Sequence, residues 1–446
     1  MRITMIAAML AAAGGVAMGG ATPVIVIRNA TVHPASGPAV EKASVVVRNG
    51  LIEAVGAAVT APADAWVIEA PGLHVYPGLT DALSSWGLPA AAGPTRGSGA
   101  GTPPPAAGPA EAPARGPEDR PSNSSWVHAQ DLVNPSDRAI ASARNAGFTT
   151  AVVFSTSGIF GGQGAVMNLA GDKLGQMTVA GSVGQHHSFA TRGFSSFPGS
   201  LMGVIAYIRQ TYLDADSYRA EKTTYQANPR GARRPDYDRA LEGVLEAPRL
   251  LLPAVWAKEI DRMMALGTEL KRPVVLYGAH DAARVAGKLA QAKIPVLVSL
   301  KWPERERDAD PEDEEALRVM ELRDQAPATP AALAKAGVKF AFYSGGVERA
   351  ADLRAAVKKA IDAGLDREAA VRALTLSAAE IYGVSDRLGS IEPGKIANLT
   401  VTDGDLFQTS TKIKFVVIDG VKYEPVPEAT PARGDAAPSA QTGEGK

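Results

Sequence analysis

The sequence predicts an α/β protein: a (β/α)8 TIM-like barrel carrying a small β-sandwich built from both chain ends. Three observations predict it. From Gly147 onward, β-branched runs of about five residues alternate with stretches of helical period, as βα units on a parallel sheet require. Hairpin patterns gather at both ends, at Asn49-Gly50 and again at Asp403-Gly404 and Asp419-Gly420. A chain of 446 residues can also bury one large core and support a second domain.

Taken in order, residues 1–21 carry a single charge, Arg2, and an apolar, Ala-rich run shorter than the ~20 residues a bilayer needs. With small residues at Gly19 and Ala21, they read as a secretory signal, the chain continuing near Thr22 in the periplasm or outside the cell. A tethering leader is the other reading. The segment 22–72 is β in character. Val24 and Val26 oppose Ile25 and Ile27, Ser44–Gly56 is a hairpin, and Trp66–Ile68 and Leu73–Val75 are further short strands. Such a meander needs a partner sheet, and 386–425 offers one in Ile396–Phe407 and Lys412–Pro425. The central segment 73–385 is the barrel, entered through Pro77-Gly78 and a first strand from Leu79. Residues 89–121 are rich in Pro, Gly and Ala and read as a flexible insertion; 426–446 reads as a disordered tail.

Within the barrel, Gly147–Ser155 is a buried strand, and Leu201, Val204, Ile205, Ile208 and Tyr212 place a helix over Ser200–Ala220. Strands follow at Pro253–Ala257, Pro273–Tyr277, Pro295–Leu300 and Lys339–Tyr343. The helices between and after them are Glu259–Leu270, Asp281–Ala292, Glu314–Arg323, Pro330–Ala336 and Glu348–Gly364. Functional residues of such a barrel come just after its strands.

Composition excludes several functions. With 46 basic and 47 acidic residues the net charge is −1, which gives no basic field for nucleic acid or an anionic membrane. Nothing after the leader is apolar enough to span a membrane. There is no cysteine, so disulfides and thiolate metal sites are excluded.

Three strings carry a more specific signal: YPGLTDA at Tyr76–Ala82, AGFTTAVVF with GGQGAVM ending at Met167, and ALTLSAAEIYGVSDRLGSIEPGKIANLTVTDGD at Ala373–Asp405. Over about Val24–Tyr423 the chain resembles the amidohydrolase superfamily, in particular its imidazolonepropionase-like branch. The resemblance implies a composite β domain beside the barrel and hydrolysis of non-peptide C–N bonds in small or cyclic amides. It also implies a divalent metal such as zinc, whose bound hydroxide attacks the carbonyl. Family ligands are a His-x-His after the first strand, histidines after the fifth and sixth, and an aspartate after the eighth.

This chain departs at each of those places. They fall on Leu83 and Ser85, on Trp256 or Ala257, on Tyr277, and on Gly345. These residues are poor or impossible ligands, so no metal cofactor is expected. The string from Leu300 to Gly337 resembles a histidine-poor subgroup of the same branch. The six histidines, His33, His74, His128, His186, His187 and His280, are spread along the chain, and neighbours such as His186 and His187 point to opposite sides of an extended strand.

Metal-free chemistry remains to be weighed. Lys258, Tyr277, His280 and Lys301, with Trp302, all fall at expected strand exits. A desolvated lysine can serve as base or nucleophile, and a histidine can move protons. In the blander reading, Lys258 and Lys301 replace the absent metal's charge and pair with Glu259 or Glu304. The resemblance makes GGQG at Gly161–Gly164 a turn between strand and helix rather than an anion nest, and the acidic run Glu304–Glu315 reads as a solvated helix approach. Two functions follow: a hydrolase of this family working without the usual metal, or an inactive binder or scaffold. The expected partners are a small-molecule ligand, a second copy of the chain, or an active amidohydrolase.

Overall fold

The computed structural model describes residues 24–89, 116–189, 191, 197–305, 310, 312 and 314–426. The expected signal, most of the Pro/Gly/Ala-rich insertion and nearly all of the tail lie outside the described residues.

The N-terminal part supplies five strands, β1 (Val24–Val32), β2 (Val40–Arg48), β3 (Leu51–Gly56), β4 (Ala65–Glu69) and β5 (His74–Pro77). The alternation read from β1 buries both faces: Val24 and Val26 pack with Val46, while Ile25 and Ile27 pack with Val45 and Val47. One edge of β1 pairs with β2. Its other edge takes β4 along Val24–Arg28 and β5 at Thr31–Val32.

The barrel uses β6 (Leu79–Ser84), β7 (Phe148–Val153), β8 (Phe160–Gln163), β9 (Ala165–Asn168), β10 (Thr178–Ala180) and β11 (Gln185–His187). It continues with β12 (Leu250–Ala254), β13 (Val274–Gly278), β14 (Val296–Ser299) and β15 (Phe340–Tyr343). β6 and β7 are parallel, as are β11 through β15 in unbroken succession. The stave between them is β8–β9, and it runs antiparallel to both neighbours, β7 and β11. GGQG therefore lies in and just after a strand, and the turn expected from the sequence is corrected. Its glycines are there for packing. A Cβ on Gly164 would sit 2.1 Å from the Phe154 ring, and one on Gly161 would sit 2.2 Å from the Ser155 carbonyl.

The chain returns to the first sheet through β16 (Leu399–Thr402), β17 (Ile413–Ile418) and β18 (Val421–Tyr423), giving the order β18-β17-β16-β5-β1-β2-β3. This sheet curls back on itself. At its far edge Ile52 N–H donates to the Lys395 carbonyl and Gly394 N–H to the Ile52 carbonyl, both at 2.8 Å, just before β16 begins. The two halves thus face each other across one core containing Ile27, Val47, Leu399 and Phe415.

The staves separate inside from outside by their period of two. Leu83, Val152, Phe154, Val166, Leu251 and Val275 point into the lumen, with Leu297 and Ala341 completing the ring. Phe148, Leu250, Leu276, Val298 and Phe342 point outward into the layer of helices. Helix Leu376–Tyr382 closes one end of the lumen; the Tyr382 hydroxyl donates to the Ala82 carbonyl at 2.7 Å, and Arg249, just ahead of β12, donates to the Ile381 carbonyl.

One boundary shift affects the site. The strand expected at Pro253–Ala257 is β12 at Leu250–Ala254, because the buried run is Leu250–Leu252. The Val255 and Trp256 amides are taken by the Glu259 carboxylate, at 2.8 and 3.1 Å, which starts helix Ala257–Leu270 immediately. No helix among the described residues is long and apolar enough to cross a membrane.

Candidate functional site

The staves' C-terminal ends bring Asp81, His186, Tyr277, Ser299 and Tyr343 to the upper lumen. Asp81 sits on β6, fully buried in a strand whose six residues are all buried. Its Oδ1 accepts from Ser344 N–H at 2.9 Å and from Leu83 N–H at 3.5 Å, which ties β6 to the exit of β15 where no backbone ladder joins them. Its Oδ2 has no partner. Burial pushes its pKa up to about 6, against the opposing pull of hydrogen bonds from Ser344, Ser84 and Leu83.

Across the lumen, the Tyr277 hydroxyl donates to the His187 carbonyl at 2.8 Å, and its ring stacks on His186 with centroids 5.2 Å apart. Tyr343 meets Tyr277 edge-on at 6.3 Å. Desolvation raises both phenols above their ordinary values and lowers His186 to about 3, so all three rings are neutral at pH 7. His186 Nδ1 has no partner. His187 points the opposite way, as the strand period requires. Its Nδ1–H donates to the Gln185 carbonyl at 3.1 Å, which leaves Nε2 to accept from the Tyr212 hydroxyl at 3.2 Å.

The four residues read from the sequence as candidates do not converge. Tyr277 faces the lumen. His280 is buried below the β14 exit, where Nε2–H donates to the Ser299 carbonyl at 3.1 Å and the ring lies 5.7 Å from Trp302; burial lowers its pKa. Lys301 is exposed at the mouth beside Gly345, and Lys258 is exposed on the outer side of helix Ala257–Leu270. The ion pairs expected for these lysines are corrected as well. Glu259 is occupied by backbone amides, and Glu304 pairs with Lys359 at 3.1 Å.

A catalytic divalent metal does not fit the residues present. Leu83 is packed into the lumen and Ser85 is exposed. Trp256 and Ala257 form the start of a helix, and the Tyr277 oxygen is committed to a carbonyl. Gly345 has φ +61°, and a Cβ there would fall 2.0 Å from Ser299 Oγ, so an aspartate has no room without movement of Ser299. Among the described residues no three His, Asp or Glu side chains gather around a point that could hold an ion. The remaining histidines have other neighbours. His33 Nε2 lies 2.9 Å from His74 Nδ1, in a stack with Tyr76, and His128 contacts Ser182 at 3.2 Å.

Sequence reading missed the role of Asp81 and Tyr343. The available signal was a carboxylate in the middle of a strand that enters the barrel wall, where an unpaired charge is costly.

Residues 219–422 match the model of the Amidohydrolase family. An amidohydrolase from Thermotoga maritima MSB8 superposes with a TM-score of 0.71 at 27% identity, over 90% of this chain and 100% of that one. The chain has the amidohydrolase fold. Other amidohydrolase-fold structures agree in architecture: molinate hydrolase has a TM-score of 0.51 at 14% identity, over 93% and 99% of the two chains. A putative prolidase from Bifidobacterium longum has 0.51 at 12%, over 92% and 97%. No curated protein sequence matches the chain. The family match begins inside helix Leu201–Ala227 and ends in β18, and it includes Trp256, Tyr277 and Gly345.

Proposed function

We propose that this protein is an amidohydrolase-fold member of the imidazolonepropionase-like branch that no longer performs metal-dependent C–N hydrolysis and acts by binding. The observation that carries the reading is the lumen itself. Leu83 fills the first ligand position, Tyr277 is hydrogen-bonded into the wall, and Gly345 is closed off by Ser299. Replacing charged ligands by packed apolar groups turns a reactive centre into core, which stabilises the barrel and removes Lewis-acid chemistry at that place. Hydrolysis by Lys258, Tyr277, His280 and Lys301 is the weaker reading, because the two lysines are exposed, Tyr277 faces the lumen and His280 is buried against Trp302. The leader adds a proposal of export, which cell fractionation tests.

The decisive experiment purifies the protein without chelators, measures bound zinc, nickel and iron, and assays dipeptides and small cyclic amides. The expected result is well below one metal per chain and no turnover above buffer. One tightly bound metal per chain together with turnover overturns the proposal.

A further inference from the structure

A separate cavity of about 500 Å³ lies outside the barrel wall, over the exits of β12 and β13. Its sides are helix Ala257–Leu270, the 3-10 turn Ala282–Val285 and helix Leu317–Gln325. That volume suits a small molecule.

The charges around it are unevenly matched. Glu259 is spent on the Val255 and Trp256 amides at 2.8 and 3.1 Å. Asp281 accepts from Ala257 N–H at 2.9 Å and pairs with Arg284 at 2.9 Å, and Glu321 also pairs with Arg284 at 3.1 Å. Arg284 thus sits between two carboxylates, and the cations lining the cavity, Lys258, Arg262, Arg284 and Arg318, outnumber its acids, Glu259, Asp281 and Glu321, by one. Lys258, Arg262 and Arg318 remain, all exposed, and among the described residues none has a carboxylate within ion-pair distance. Lys258 and Arg262 stand one helical turn apart, and Arg318 reaches in from the opposite helix with its guanidinium 5.8 Å from the Trp256 ring centroid. Like charges gathered this way repel, and a bound anion relieves that repulsion. Trp256 and the buried Leu322 add an apolar surface beside the cations.

We infer that this cavity binds a small organic anion. Its carboxylate or phosphate group is held by Lys258, Arg262 and Arg318, and its apolar part lies against Trp256 and Leu322. Arginine's planar fork suits both oxyanions, and the indole face selects for a ring or chain attached to them. The inference rests on the exterior geometry and stands whether or not the lumen is catalytic.

Calorimetric titration of the full chain at low salt with benzoate, phenyl phosphate, inorganic phosphate and benzyl alcohol tests it. Benzoate or phenyl phosphate binds at least tenfold more tightly than benzyl alcohol, the tighter of the two naming the oxyanion, and added salt weakens binding. Lys258→Ala/Arg262→Ala lowers affinity at least tenfold, whereas Arg209→Ala, at a residue that pairs with Glu269 at the far end of helix Ala257–Leu270, leaves it unchanged. Trp256→Ala weakens phenyl phosphate more than inorganic phosphate. No binding of either aromatic anion, equal binding of benzyl alcohol, or equal losses in the Arg209 and Lys258/Arg262 variants overturns the inference. Melting curves of each variant confirm that a loss of binding is not a loss of fold.

Discussion

β12 and β13 present two environments within a few residues of each other. On their inner side Leu251, Val275 and Tyr277 belong to a packed lumen, where His186 and Asp81 are driven toward their neutral forms. Just past their ends Lys258, Asp281 and Arg284 line an open cavity, with Asp281 and Arg284 ion-paired at 2.9 Å. The contrast shows where polar chemistry has room in this molecule. The lumen, which the fold offers as a reaction chamber, is built as core, and the convergent charge lies on the exterior rim.

The sharpest break of that contrast is Leu83→Asp. A carboxylate placed among Val152, Phe154 and Leu297 has no counter-charge, so urea unfolding is expected to show a loss of about 4 kcal/mol. A loss below about 1 kcal/mol would mean the lumen is wet and the comparison false.

Asp81 gives the next largest effect, through pH. Its folded value of about 6 lies above the ordinary 3.8, so between these values the folded chain holds a proton that the unfolded chain has released. The stability this group contributes is complete below pH 3.8 and is lost as pH rises through 6, by about 3 kcal/mol. Asp81→Asn keeps the acceptor facing Ser344 and removes that slope. His186 has the opposite sign: its folded value of about 3 is below 6.5, so its contribution is present above pH 6.5 and is lost as pH falls toward 3. Both titrations fall between about pH 3 and 6.5 and oppose each other, so His186→Phe is expected to leave the Asp81 loss exposed there, and Asp81→Asn the His186 gain. Stability curves measured from pH 3 to 8 separate the two.

At the mouth, Gly345→Ala is expected to cost about 2 kcal/mol from the clash with Ser299 and the positive φ. Adding Ser299→Ala should recover part of it, and full additivity in the double variant would show that the two sites do not touch. On the rim, Lys258→Ala should change stability by less than about 0.5 kcal/mol, since the side chain is exposed and unpaired. A loss comparable to that of Leu83→Asp would erase the distinction between inside and outside.

Much of the fold is legible in local pattern. β-branched alternation located β1, β2 and β13–β15, and hairpin dipeptides marked the β2–β3 and β17–β18 turns, whereas Asp403-Gly404 opens the long loop 403–412 between β16 and β17. An apolar stripe located helix Leu201–Ala227, although its polar last turns ran beyond the stripe. β12 begins three residues before Pro253, the start that local pattern suggests, because the burial of Leu250–Leu252 decides it. The reversed stave β8–β9 was illegible, since strand direction depends on pairing partners distant in sequence.

By itself, the sequence determined the fold class, because apolar period is a matter of residue type, and it put Leu83, Tyr277 and Gly345 where the resembled family carries metal ligands. Only the tertiary structure decided which polar groups meet. Asp81 and Ser344 are 263 positions apart and share a hydrogen bond, whereas Lys258 and Tyr277, at neighbouring strand exits, face different solvents. The reason is geometric. The staves' two-residue period and the curl of the wall assign each side chain to lumen or rim, and burial then determines its charge.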